Sequence, residues 1–216
     1  MKHTVLLSAV FLSLASCSKE ALRGSGDSVT ETRTVSSFSR IELSGAEQLE
    51  VLHGNDVRVE VSGYRNLVSD YETSVSGSTL KLRFDRDVIN VRNNNLHVRV
   101  YTPDLDAVSL EGSGKILVLG NGDIHLRHAE INGSGEITVS QPTATEREFV
   151  INGSGKIFAR DAAGENVDAE INGSGDVEVT AFRTLDATIN GSGKIRYWGG
   201  ATLKTNISGS GKVEGH

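Results

Sequence analysis

The sequence predicts an all-β chain wound as a parallel β-helix, and two observations carry that prediction. A seven-residue unit runs apolar residue, polar residue, Gly-Ser-Gly, charged residue, β-branched residue. It occurs six times, as Leu110–Ile116, Ile131–Ile137, Ile151–Ile157, Ile171–Val177, Ile189–Ile195 and Ile207–Val213, spaced by 21, 20, 20, 18 and 18 residues. A fixed period in this range marks a solenoid, whose repeats bury their apolar faces only against their neighbours. On either side of each Gly-Ser-Gly the hydrophobicity alternates with period two, as in Glu136-Ile137-Thr138-Val139 and Ala169-Glu170-Ile171-Asn172. That alternation is a strand signal, and no stretch carries a helical period.

The chain opens on an export signal: Lys2, an apolar run over 4–14, then Ala15 and Ser16 before Cys17. The run is too short to span a bilayer, which takes about 20 apolar residues. Residues 1–16 are therefore expected to be removed as a signal peptide. Leu14-Ala15-Ser16-Cys17 resembles the lipobox of bacterial lipoproteins, in which the cysteine carries the lipid; the plainer alternative is an ordinary signal cleaved near Ser16, leaving a free thiol. Cys17 is the single cysteine of the chain, so no internal disulfide can form. Ser18-Lys19-Glu20 resembles a signal for export to the outer leaflet in some Gram-negative groups. Residues 17–33 are polar and hold Gly24-Ser25-Gly26, the composition of a flexible tether. The expected partner at this end is the membrane, through the lipid anchor.

One β-solenoid domain is expected over 34–216. From 34 to 104 the alternation persists, in Ile41-Glu42-Leu43, Val57-Arg58-Val59-Glu60-Val61, Leu80-Lys81-Leu82 and Leu96-His97-Val98, without the strict repeat. These irregular strands are expected to cap the solenoid, whose end would otherwise expose unpaired strand edges. Ser44-Gly45 reads as a degenerate first corner, and Tyr197-Trp198 with Gly199-Gly200 as the equivalent device for the last coils.

From 105 to 216 each repeat supplies two short strands joined at a corner, and successive coils stack about 4.8 Å apart. Leu110, Ile131, Ile151, Ile171, Ile189 and Ile207 form one inward stack; Ile116, Ile137, Ile157, Val177, Ile195 and Val213 form the other. Each such side chain contributes about 1.5–3 kcal/mol when fully buried. Two positions before the first stack, Val108, Ala129, Ala169, Ala187 and Thr205 are small, and Phe149 is the exception. The corner glycines are Gly112 and Gly114, Gly133 and Gly135, Gly153 and Gly155, Gly173 and Gly175, Gly191 and Gly193, and Gly209 and Gly211. Glycine there permits positive φ and close backbone approach. Asn132, Asn152, Asn172 and Asn190 are placed to form an amide ladder along the axis. After the corner, Lys115, Glu136, Lys156, Asp176 and Lys194 alternate in sign, and Lys212 breaks the alternation.

These residues resemble the head GIN domain family of bacterial auto-transporter adhesins. The resemblance covers roughly 34–213, with the Ser37-Phe38-Ser39-Arg40-Ile41 entry, Pro103-Asp104-Leu105 before the repeats, and the Gly-Ser-Gly series. It implies a pectin-lyase-like, right-handed β-helix and a role in adhesion without catalytic residues. A glycan or a protein at the cell surface is then the expected ligand.

Other chemistries fare poorly. The formal charge is −6, becoming −7 on loss of Lys2 with the leader, and no basic block is present, so nucleic acid is not an expected partner. Parallel β-helices also carry carbohydrate-cleaving enzymes, which need converging acids. The nearest candidate is Asp123, His125 and His128 with Arg127, and it lacks a third partner in phase. Gly120-Asn121-Gly122-Asp123 faintly resembles a calcium coil but occurs once, so no metal or other cofactor is expected. The Gly-Lys pairs lack the remaining residues of a phosphate loop. The Asn-x-Ser sequons at the corners are better explained by the ladder. Asp27-Ser28-Val29 resembles an O-glycosylation acceptor, and Ser28 in a tether would be accessible.

Overall fold

The computed structural model describes residues 21–85, 90–120 and 124–216. Along the chain, β1 (Leu22–Arg23) and β2 (Ser28–Arg33) precede β3 (Arg40–Gly45) and β4 (Gln48–His53). Next come β5 (Arg58–Tyr64), the short helix α1 (Arg65–Asp70), β6 (Tyr71–Ser76), β7 (Thr79–Phe84), β8 (Val91–Arg92) and β9 (His97–Thr102). The repeats supply β10 (Ala107–Gly112), β11 (Lys115–Leu119), β12 (His128–Gly133), β13 (Glu136–Ser140), β14 (Ala144–Gly153), β15 (Lys156–Gly173), β16 (Asp176–Gly191), β17 (Lys194–Trp198), β18 (Thr202–Gly209) and β19 (Lys212–Gly215).

The repeats form a parallel β-helix. Strands that lead into a corner stack in the order β7, β3, β10, β12, β14, the second half of β15, the second half of β16, and β18. Strands that leave a corner stack as β9, β4, β11, β13, the first halves of β15 and β16, β17 and β19. Leu110, Ile131, Ile151, Ile171 and Ile189 fall on one column and are completely buried. Leu43 extends that column and Leu49 the other, so Gly45 is a true corner in register with Gly112. Phe149 fits because its column neighbours, Ala129 and Ala169, are both alanines.

The corner glycines divide into two kinds. Gly153 carries φ +138°, and a Cβ there would stand 2.3 Å from the Gly133 carbonyl oxygen. That same oxygen accepts the hydrogen bond of Ser154 N at 2.9 Å, so the ladder runs unbroken through the bend. The second glycine needs no positive φ, contrary to a reading that gives both the same job. A Cβ on Gly155 would meet Ile131 Cγ2 at 2.7 Å, so this glycine makes room for the isoleucine of the preceding coil.

Chain order is not spatial order. The coil made by β7 and β9 lies outside the coil made by β3 and β4, which is sandwiched between it and β10–β11. Antiparallel strands then close this end: β6 on β7, β5 on β9, and β2 on β5. Arg33 pins the cap, donating to the carbonyl oxygens of Tyr71 at 2.5 Å and Val68 at 2.6 Å. Residues 21–33 are therefore structural rather than tether: β2 is part of the cap and β1 pairs with β8. The reason is that the alternation of β2 is read by its partner β5, not by any repeat in its own sequence.

The other end is open. Leu203 and Ile207 occupy inward columns yet are 38% and 43% exposed, because among the described residues no strand stacks beyond β18. Trp198 stacks on His216 with ring centroids 4.9 Å apart, while Arg160 lies over the indole at 4.4 Å.

Candidate functional site: an acidic groove along the leading stack

Outward positions repeat with the coils, so any residue type that recurs with the period becomes a column. Three residues before each inward isoleucine, register aligns Arg40, Ala107, His128, Glu148, Asp168, Asp186 and Lys204. Three acids thus occupy successive rungs, about 4.8 Å apart along the axis. They line an open groove of about 660 Å³ together with Glu146, Asn166 and Thr184, two residues earlier on the same strands, and with Arg40 and Arg127.

The acids differ in their surroundings. Glu148 Oε2 lies 2.8 Å from His128 Nδ1, and Asp186 is paired with Lys204. Asp168, between them, has its carboxyl pushed above the ordinary range, first by partial burial and then by the negative charges of Asp186, Glu148 and Glu170, with Lys204 opposing. The arrangement is a strip of hydrogen-bond acceptors in which Asp168 is the acid whose charge its neighbours oppose.

Beneath the groove the same strand alternation turns a cation inward. Arg147 is 4% exposed and in phase with Phe149 and Ile151. Its guanidinium donates to the carbonyl oxygens of Leu126 at 2.5 Å, Pro142 at 2.6 Å and Ala163 at 3.1 Å, and to Gln141 Oε1 at 3.4 Å. Desolvation lowers its pKa to about 10. It ties together the connections of three neighbouring coils on the side away from the Gly-Ser-Gly corners.

The residues singled out from sequence are distributed as follows. Asn152 Nδ2 donates to Asn132 Oδ1 at 2.9 Å, Asn172 to Asn152 at 3.0 Å, and Asn190 to Asn172 at 2.9 Å. Glu130 and Glu170 accept from the same amides. In the alternating charged column, Lys115 pairs with Glu136 at 3.3 Å, but Lys194 turns to Glu214 and Asp176 to Arg196. Those partners sit one strand on and two residues along, closer to the long side chains' reach.

Cys17 and Asp123 lie outside the described residues. Of the rest of that cluster, His125 faces Asp104 at 3.4 Å, Arg127 faces Asp106 at 2.6 Å and His128 faces Glu148, so each has a separate carboxylate and they do not converge. Ser28 is exposed but is the first residue of β2, opposite Tyr64, rather than part of a flexible segment. The groove acids were missed from sequence, although their spacing of 20 and 18 residues equals the repeat period and was the available signal.

Comparison with known proteins places this geometry. Residues 37–201 match the family model described as "putative auto-transporter adhesin, head GIN domain". Among solved structures, a protein from Bacteroides fragilis described as a "putative adhesin" superposes with a TM-score of 0.74 at 21% identity, covering 91% of this chain and 100% of that one. A protein from Parabacteroides distasonis described as a "putative lipid binding protein" gives 0.58 at 24% identity, with 91% and 100% covered. A protein from Parabacteroides merdae described as a "putative adhesin" gives 0.52 at 22%, with 91% and 99% covered. At these identities the likeness is one of fold. No curated protein matches the chain.

Proposed function

We propose, since this chain belongs to the head GIN domain family of auto-transporter adhesins, that it is a binding module of the cell envelope, anchored by lipid at Cys17. Its acidic groove takes a polymer with regularly spaced hydroxyl or amine donors, of which a surface glycan is the simplest kind, and binds it without chemical change. The observation that carries this reading is the register of Glu148, Asp168 and Asp186 on consecutive rungs of a straight, open groove. A repeating acceptor array suits a repeating donor array laid along the axis, and several weak hydrogen bonds on one rigid scaffold act together. A pocket for a single small molecule would instead be concave and mostly apolar.

Carbohydrate cleavage is the second reading, favoured by one observation. Asp168 has a raised pKa and stands beside acids on neighbouring rungs, the pairing that glycoside hydrolysis employs. Against it, Glu148 and Asp186 are each engaged by a basic partner, and the groove is open to water.

One experiment separates them. The full chain is screened on a glycan array beside Asp168→Asn and Asp186→Asn, and the bound glycans are then assayed for new reducing ends. Binding that weakens tenfold or more in the variants, with glycans left intact, is the expected result. Reducing ends that appear with the wild type and vanish with Asp168→Asn would replace binding by catalysis.

A further inference from the structure

We infer that the open end of the solenoid pairs tail to tail with the same end of a second copy of this chain, through β18 and β19. Every residue of β18 is exposed, and Ile207 continues a column in which Ile189 is fully buried. Among the described residues, the ladder partner of β18 is β16 and that of β19 is β17. The apolar interior thus ends at two unpaired strand edges, which proteins rarely leave uncovered.

The opposite end shows how this chain closes such an edge: with antiparallel strands, β6 on β7 and β5 on β9. A second copy can supply the same cover because the repeat reads alike in both directions about its serine. In Ile207-Ser208-Gly209-Ser210-Gly211-Lys212-Val213, an apolar residue stands three positions to either side of Ser210. A two-fold axis through Ser210 lays β18 antiparallel on β19 of the second copy, and β19 on its β18. Ile207 then faces Val213 of the second copy, Ser208 faces Lys212, and Asn206 faces Glu214. No like charges are opposed, whereas within one chain Lys212 stacks on Lys194.

The contact is isologous and closes on itself. Head-to-tail growth is blocked, because the far end is already capped. The paired edges run about 30–40 Å, on the order of 400 Å² per copy for a layer about 10 Å thick. The total, about 800 Å², falls below the roughly 1,200–2,000 Å² of stable complexes, so the pairing is weak and reversible. The acidic groove is not part of the interface. The two capped ends come to lie at opposite extremes of the joined rod. Only if the anchoring reading holds does the pair therefore link two membrane surfaces.

Sedimentation of the full chain in detergent, from about 1 to 500 μM, tests the pairing. The expected result is a monomer–dimer equilibrium that Ile207→Lys with Val213→Lys weakens at least tenfold. A second variant does not depend on that substitution being tolerated: Asn206→Cys with Glu214→Cys, in a Cys17→Ser background, gives a disulfide-linked dimer on oxidation, while either cysteine alone gives none. Monomer at every concentration, larger open assemblies, or a dimer indifferent to the lysines and not trapped by the cysteine pair would each overturn the inference. Glycan binding by the same preparations is scored separately, so loss of one reading leaves the other standing.

Discussion

Gly153 and Gly155 sit two residues apart in one corner and are required for different reasons. At Gly153 any side chain adopts a disfavoured φ and meets backbone, which cannot move without breaking the next corner. Gly153→Ala is expected to cost about 3 kcal/mol or more, read as a lower urea midpoint. At Gly155 no positive φ is needed, but an added Cβ meets both the Ile131 side chain and the Gly135 carbonyl oxygen, and Gly155→Ala falls in the range of core overpacking, about 1–3 kcal/mol. Glu47 shows what happens when the pattern lapses. It holds the position of the second corner glycine, since Gln48 aligns with Lys115, and its carboxylate is buried with Oε2 unpartnered. Burial raises its pKa above 4.5, opposed by the backbone amides of Glu47 and Ala46 and by Asn94. The folded chain therefore holds this proton more tightly than the unfolded one. The stability it confers is complete below the ordinary carboxylate range and is lost as pH rises through the raised value. Glu47→Gln should flatten that decline and raise the melting temperature at pH 7, measured by thermal melts across pH 4–8.

At the scale of elements, the coil turns in two different ways. The corner side uses glycine and carries its hydrogen bonds straight through the bend. The Asn ladder runs beside it, each amide bonded to the one before. The far side has no such repeat, and Arg147 replaces it by collecting carbonyl oxygens from connections that share no sequence pattern. Arg147→Met keeps the bulk but strands those acceptors. A loss of about 2–4 kcal/mol is expected, with faster amide exchange over 124–128 and 140–147 than at the corners. Much of this was legible beforehand: the alternation put the inward isoleucines in phase, and parity also put Arg147 in phase with Phe149 and Ile151. Parity alone does not say that an arginine will stay inside. That depends on carbonyls supplied by residues up to 21 positions away, which only the folded coil gathers.

Over the whole molecule the result is a rod with unlike ends. One end is sealed by antiparallel strands and α1; the other presents exposed Leu203 and Ile207. The groove follows from the same repetition that builds the core, because a column outside is as regular as a column inside. Asp168→Asn belongs to this scale: it removes the charge that Asp186 and Glu148 oppose, so binding and stability should move in opposite directions. A ligand screen and a melt on the same variant check both.

By itself the sequence determined the coil: where it bends, which residues face inward and how often the pattern returns. These are local matters, settled by a glycine that can take the bend and by side chains that alternate between two faces. Tertiary structure alone decided that the strands at 79–102 lie outside those at 40–53, that residues 21–33 join the cap, and that three distant acids line one groove. The physical reason is that a strand edge offers the same hydrogen bonds to any strand that reaches it. Which strand arrives is chosen by side-chain packing across the stack, between residues that no local pattern connects.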